Sequence, residues 1–116
     1  MKVKRFADAK TYEAANHRGY TSFALINKPE GIKNFTVGLS HFLPGGGAGP
    51  DSMPFEKIYV ILDGELTLII DGKETVLKKY DSVTIAPNEV REIVNRSNHM
   101  CSILVSIPYP PGHKPE

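Results

Sequence analysis

Lys57 stands inside a nearly continuous apolar run, F-E-K-I-Y-V-I-L over residues 55–62, and an ammonium in that setting has two chemical uses. Full burial lowers a lysine pKa by up to about 3–5 units, which turns the amine into a proton-transfer group; while still protonated it holds an anion. Strand alternation puts Tyr59 and Ile61 on the same side as Lys57, so a phenol is within reach as hydrogen-bond donor or acid, although an aromatic in a central strand is first of all core. His41 shares its face with Phe35, Val37, Leu39 and Leu43, as pocket wall or as ligand, and the wall is the commoner case. His17 is expected at the surface, in a segment that could fold over a pocket mouth, and His99 and His113 carry no role. Cys101 lies in register with Ile103, Val105 and Ile107, the pattern of a small buried hydrophobe rather than a nucleophile. The G-G-G-A-G run at residues 45–49 lacks the lysine and following helix of a phosphate cradle and is expected to be a flexible loop that turns tightly or approaches a ligand.

Strands must position these groups. Residues 20–26, 34–43, 55–62, 66–70, 75–77, 83–86, 90–94 and 100–107 are rich in β formers and are separated by turn residues at short intervals. Asp71-Gly72 between two of them supplies the positive φ angles of a two-residue hairpin turn. Residues 2–6 alternate charge and apolar side chain, as an edge strand or a dimer contact would, and residues 8–16 support at most a turn or two of helix. An all-β sandwich or barrel with negligible helix is predicted. It forms a single domain over 1–116, with N-terminal strands and a connecting segment at 1–33, the barrel core at 34–107 and a Pro-rich tail at 108–116.

Composition narrows the partners. With 14 Lys and Arg against 13 Asp and Glu and no long block of one sign, the chain offers no surface for nucleic acid or for an anionic membrane. A single cysteine, the lack of an apolar leader and the lack of any membrane-length apolar run lead to the expectation of a cytoplasmic protein.

The spacing of residues 45–96 resembles the cupins, small jelly-roll β-barrels of about 8 to 11 strands. Their first motif, G-x5-H-x-H-x3,4-E-x6-G, falls on Gly45, Asp51, Met53, Lys57 and Gly64; their second, G-x5-P-x-G-x2-H-x3-N, falls on Asp81, Pro87, Glu89, Glu92 and Arg96, with Asn95 one place early. The resemblance implies a barrel pocket lined by Lys57 and Tyr59 and, on the facing strand, by Val90, Glu92 and Val94. In the family two histidines and a glutamate of the first motif and a histidine of the second hold a divalent metal. Here those places carry Asp51, Met53, Lys57 and Glu92, so the expectation is no metal cofactor. Lysine brings charge of the wrong sign and methionine a soft thioether. A buried Lys57 is expected to pair with Glu92, and with Asp51 beside it, either as the polar floor of a ligand pocket or as a structural plug. A one-residue bulge would instead turn Glu56 inward and allow a divalent transition metal on His41, Asp51, Glu56 and Glu92.

Three functions follow from the resemblance and these residues. The first is a binder of a small organic anion, with Asp51, Met53, Lys57, Tyr59, Glu92 and His41 as pocket residues. The second is an isomerase, lyase or dioxygenase working by Lys57/Glu92 acid–base chemistry or by an unusual metal site. The third is a barrel whose business is its partner subunit, a homodimer being what the family implies.

Overall fold

The computed structural model describes residues 1–27 and 34–108. The tail at 109–116 and most of the turn cluster expected at residues 27–31 lie outside the described residues. Within them are nine strands and one short 3-10 turn, Phe6–Asp8. The strands are β1 (Lys10–Tyr12), β2 (His17–Ile26), β3 (Phe35–Asp51), β4 (Lys57–Asp63), β5 (Glu65–Ile70), β6 (Lys73–Lys78), β7 (Ser82–Ile85), β8 (Arg91–Val94) and β9 (Cys101–Pro108). The order across the sheet is β6-β5-β8-β3-β9-β4-β7, with β2 also on β3 and β1 on β2. It curls into a barrel, one of the two all-β forms that the alternation and turn spacing predict, and specifically the jelly roll that the resemblance implies.

The long strand β3 makes this curl possible. Its first part runs antiparallel to β9, from the pair Phe35 and Pro108 to the pair Phe42 and Cys101. Its second part pairs with β8 instead, Gly47 opposite Val94 and Ala48 opposite Ile93. Gly45, at φ +83°, stands at the bend between them, where an L side chain would be strained. Residues 45–49 are therefore not the flexible loop expected from composition. They are strand, buried from Gly46 to Gly49, and the glycines of that buried part stand where other backbone comes close: a Cβ on Gly47 would stand 2.1 Å from the Ile93 carbonyl oxygen.

The hairpin of β5 and β6 forms as expected, with Asp71 and Gly72 both at positive φ. At the N-terminus the expectations are corrected. Residues 2–6 form no strand in this chain, and the segment read as a helical turn at 8–16 contains β1, paired to β2 at Tyr12 and Ser22. Phe6 packs edge-on against Phe23 with ring centroids 5.0 Å apart, which ties this segment to the outside of β2.

Phe42, Ile61, Leu66, Ile93 and Ile103 form the centre of the core, each almost wholly buried. Cys101 joins them at 0% exposure, and burial, reinforced by Asp63 and Glu65, pushes its thiol up to about 11, so it is a core residue. The face of β3 that turns inward is Gly38, Ser40 and Phe42, not the more apolar set Phe35, Val37, Leu39, His41 and Leu43. Periodicity is right and its polarity is inverted. The inner face borders a cavity, where small and polar residues leave room, while Phe35 and Leu43 stay exposed.

Candidate functional site

One end of the barrel encloses a cavity of about 340 Å³. Its walls are apolar, with Phe42, Ile93, Ile103, Val105 and Ile107 from β3, β8 and β9. The polar groups of its floor come from three places: Asp51 and Met53 at and beyond the end of β3, Lys57 and Tyr59 on β4, and Arg91 on β8. The end of β1, the start of β2 and the link between them close the remaining side with Tyr12, His17 and Glu13.

Lys57 and Tyr59 face inward as alternation requires, and the β4–β7 pairing from Lys57 to Val60 runs without a bulge. Glu56 is accordingly exposed. On β8 the inward residues are Arg91 and Ile93, one residue out of step with the expected Val90, Glu92 and Val94. This corrects the Lys57–Glu92 pair: Glu92 lies on the outer side, where it accepts a hydrogen bond from Arg18 Nη2 at 3.2 Å. Asn95 fixes the register. It is 0% exposed, and its Nδ2 donates to the carbonyls of Phe42 at 3.0 Å and of His99 at 2.7 Å. Its early position in the motif was the available signal, because counting back from Asn95 rather than from Arg96 puts Arg91, not Glu92, at the pocket.

His41 is also outside the cavity. Its Nδ1 is 2.7 Å from Ser102 Oγ and its ring meets the edge of Phe23. His17, expected at the surface, does line the cavity: its ring stacks over Phe42, and burial together with the charges of Arg91 and Lys57 lowers its pKa.

The floor has a charge imbalance. Arg91 is 3% exposed, its Nε donates to the Tyr59 hydroxyl at 2.8 Å, and its Nη1 is buried with no partner among the described residues. Lys57 is 8% exposed and forms no ion pair among the described residues. Burial first, then the neighbouring Arg91, brings its pKa down from 10.5 to about 8, with Asp51 partly opposing. Burial raises the Tyr59 pKa against the pull of Arg91. Two cations thus face one floor carboxylate, Asp51, whose Oδ1 accepts the Ser52 N–H at 2.8 Å.

This donor set does not fit the family's divalent metal. The four places that the motifs assign to metal ligands hold a carboxylate, a thioether, an ammonium and, once register is corrected, a guanidinium. The alternative set of His41, Asp51, Glu56 and Glu92 is not brought together, since only Asp51 of the four lines the cavity. Among the described residues no three His, Cys, Asp or Glu side chains gather where they could hold a metal.

A family model for the cupin domain matches residues 38–107. The chain is a cupin. It is 40% identical over 111 residues to a Mycobacterium tuberculosis protein named β-D-galactosidase Rv1717, a likeness that covers 95% of this cupin and 96% of that protein. Among solved structures it resembles the polyketide cyclase RemF of Streptomyces resistomycificus, with a TM-score of 0.84 at 22% identity over 93% of this chain and 79% of that one. It also resembles a predicted oxalate decarboxylase of Thermotoga maritima, with a TM-score of 0.78 at 25% identity over 92% of this chain and 98% of the other. Among the described residues no helix is long and apolar enough to cross a membrane.

The buried ammonium makes a prediction about stability. Because Lys57 has a lower pKa folded than unfolded, the unfolded chain binds more protons between about pH 8 and 10.5, and stability from this group rises with pH across that window. Replacing Lys57 with Met should raise stability at pH 7 by about 1–3 kcal/mol in urea denaturation. That advantage should shrink toward pH 10, and an advantage of equal size at both pH values would show that Lys57 is not held as a desolvated ammonium.

Proposed function

We propose that this cupin binds a small organic anion in the barrel pocket through its own cationic side chains, without the family's usual metal centre. The observation that carries the reading is Arg91, which lines the cavity with Lys57 beside it and whose Nη1 is buried beside Gly49 with no partner among the described residues. A buried polar group without a partner costs about 1–3 kcal/mol, more when charged, and a carboxylate in the cavity would recover that cost as a charge-assisted pair. Lys57, with its pKa near 8, would serve both as second anchor and as a group able to exchange a proton near neutral pH. Thermal-shift and calorimetric titration with small carboxylates tests this. Arg91→Met should weaken binding about 10- to 100-fold, and unchanged Kd values would overturn the anchor.

A second reading, hydrolysis of a β-D-galactoside, is favoured by the near full-length likeness to the mycobacterial protein of that name. Hydrolysis breaks the bond from the anomeric carbon to the leaving oxygen, puts a hydroxyl from water on that carbon and returns a proton to the leaving group. Asp51 is the floor carboxylate that would stabilise the developing positive charge or activate water, and Lys57 or Tyr59 would supply the proton. A chromogenic β-D-galactoside should be cleaved by the native chain and about 100-fold or more slowly by Asp51→Asn. Cleavage that persists undiminished in the variant would remove Asp51 from this role, and no cleavage by the native chain would remove the reading.

The proposal includes a homodimer, with the outer face of the sheet around the exposed Ile58 as the area to be covered. Light scattering at micromolar concentration should give twice the mass of the chain; a monomer mass would exclude that assembly.

A further inference from the structure

Opposite the cationic floor, the cavity ends in hydroxyls. Tyr12, from the short strand β1, enters it from the side, and its phenol oxygen lies over Gly38: a Cβ on that glycine would stand 2.8 Å from it. The oxygen hydrogen-bonds with Ser22 and Ser40, and those two serines are themselves 2.8 Å apart, oxygen to oxygen, at 1% and 3% exposure. Even if all three hydrogens are spent within the cluster, lone pairs remain that accept a hydrogen from a ligand hydroxyl. Between these hydroxyls and the cations the walls are aliphatic, with Val105 and Ile107 among them.

The register of the sheet measures the separation. Tyr59 on β4 is opposite Val105 on β9, and Val105 is opposite Gly38 on β3. The site under the Tyr12 phenol is thus two strand spacings, ~10 Å, from the strand position of Tyr59, the partner of Arg91. Less the contact distance at each end, that leaves a short chain.

We infer that Tyr12 is the end-stop of the pocket and that the ligand is a short hydroxy acid, its carboxylate at Arg91 and Lys57 and its hydroxyl at Tyr12 and Ser40, with Ser22 behind them. The inference rests on the anion reading above and adds to it a length, a second polar group and the residue that selects both. Gly38 belongs to the device, since any side chain there occupies the place of the phenol. The nearest backbone atom to such a Cβ, the Phe23 carbonyl oxygen, is 3.6 Å away, so an alanine displaces the tyrosine and not the sheet.

The test is calorimetric titration of the full chain with two series of straight-chain carboxylates of about four to ten carbons, one bearing a terminal hydroxyl and one unsubstituted. The native chain should favour short members and hydroxylated over unsubstituted ones. Tyr12→Phe keeps the ring, so the length preference should stay while the preference for a hydroxyl drops about tenfold. Tyr12→Ala and Gly38→Ala should both move the optimum to longer chains, the second with every pocket side chain retained, and circular dichroism checks that both fold. If both variants keep the native length optimum and the hydroxyl preference, Tyr12 is not the end-stop and the inference falls while the anion site stands. If the native chain binds no acid in either series, the anion site falls and takes the inference with it.

Discussion

Two cations buried in an apolar barrel against one floor carboxylate form the constraint on which this molecule turns. Arg91 has one nitrogen hydrogen-bonded to Tyr59 and another with no hydrogen-bond partner among the described residues, and the Lys57 pKa is depressed to about 8 by burial and by Arg91. A protein tolerates such an arrangement only where stability is available from elsewhere or where a ligand completes it. Here the surrounding core of Phe42, Ile61, Leu66, Ile93 and Ile103 provides the first, and an anion would provide the second.

The backbone that holds this imbalance is unusually close-set. Gly46 and Gly47 let the second half of β3 lie against β2 and β8 at distances that no side chain would allow. The result is that β8 faces β4 across the cavity floor with Arg91 directed at Tyr59. The glycine run is thus a packing device, and its effect on chemistry is indirect: it brings the strand that carries Arg91 to where the guanidinium can meet the phenol. On the outside, the Arg18–Glu92 pair and the hydrogen bond from Arg18 Nη1 to the Gly49 carbonyl link β2 to the same region.

Most of the fold could be read before the structure was known, because turn chemistry and motif spacing are local. Asp71-Gly72 specifies its hairpin in two residues, and the spacing from Gly45 to Gly64 places Asp51, Met53 and Lys57 at the cavity where they are found. What could not be read depends on which face of a strand is inside. A one-residue slip in β8 exchanged Arg91 for Glu92, and with it a cation for an anion, so the expected ion pair became a charge imbalance. In β3 the same kind of error put His41 inside, because apolar content marks the inner face only where that face packs and not where it borders a cavity. Tyr12 and His17 were missed because their segment carries no strong periodicity, and its position over the cavity is set by the pairing of β1 to β2.

The titration of Lys57 reports directly both on its burial as a charged group and on the completion of the cavity by an organic anion. The 13C resonance of its ε-methylene group should give a pKa near 8 in the free protein and a clearly higher value when a short hydroxy acid saturates the pocket. An ordinary pKa near 10.5, the same with and without the acid, would contradict the account.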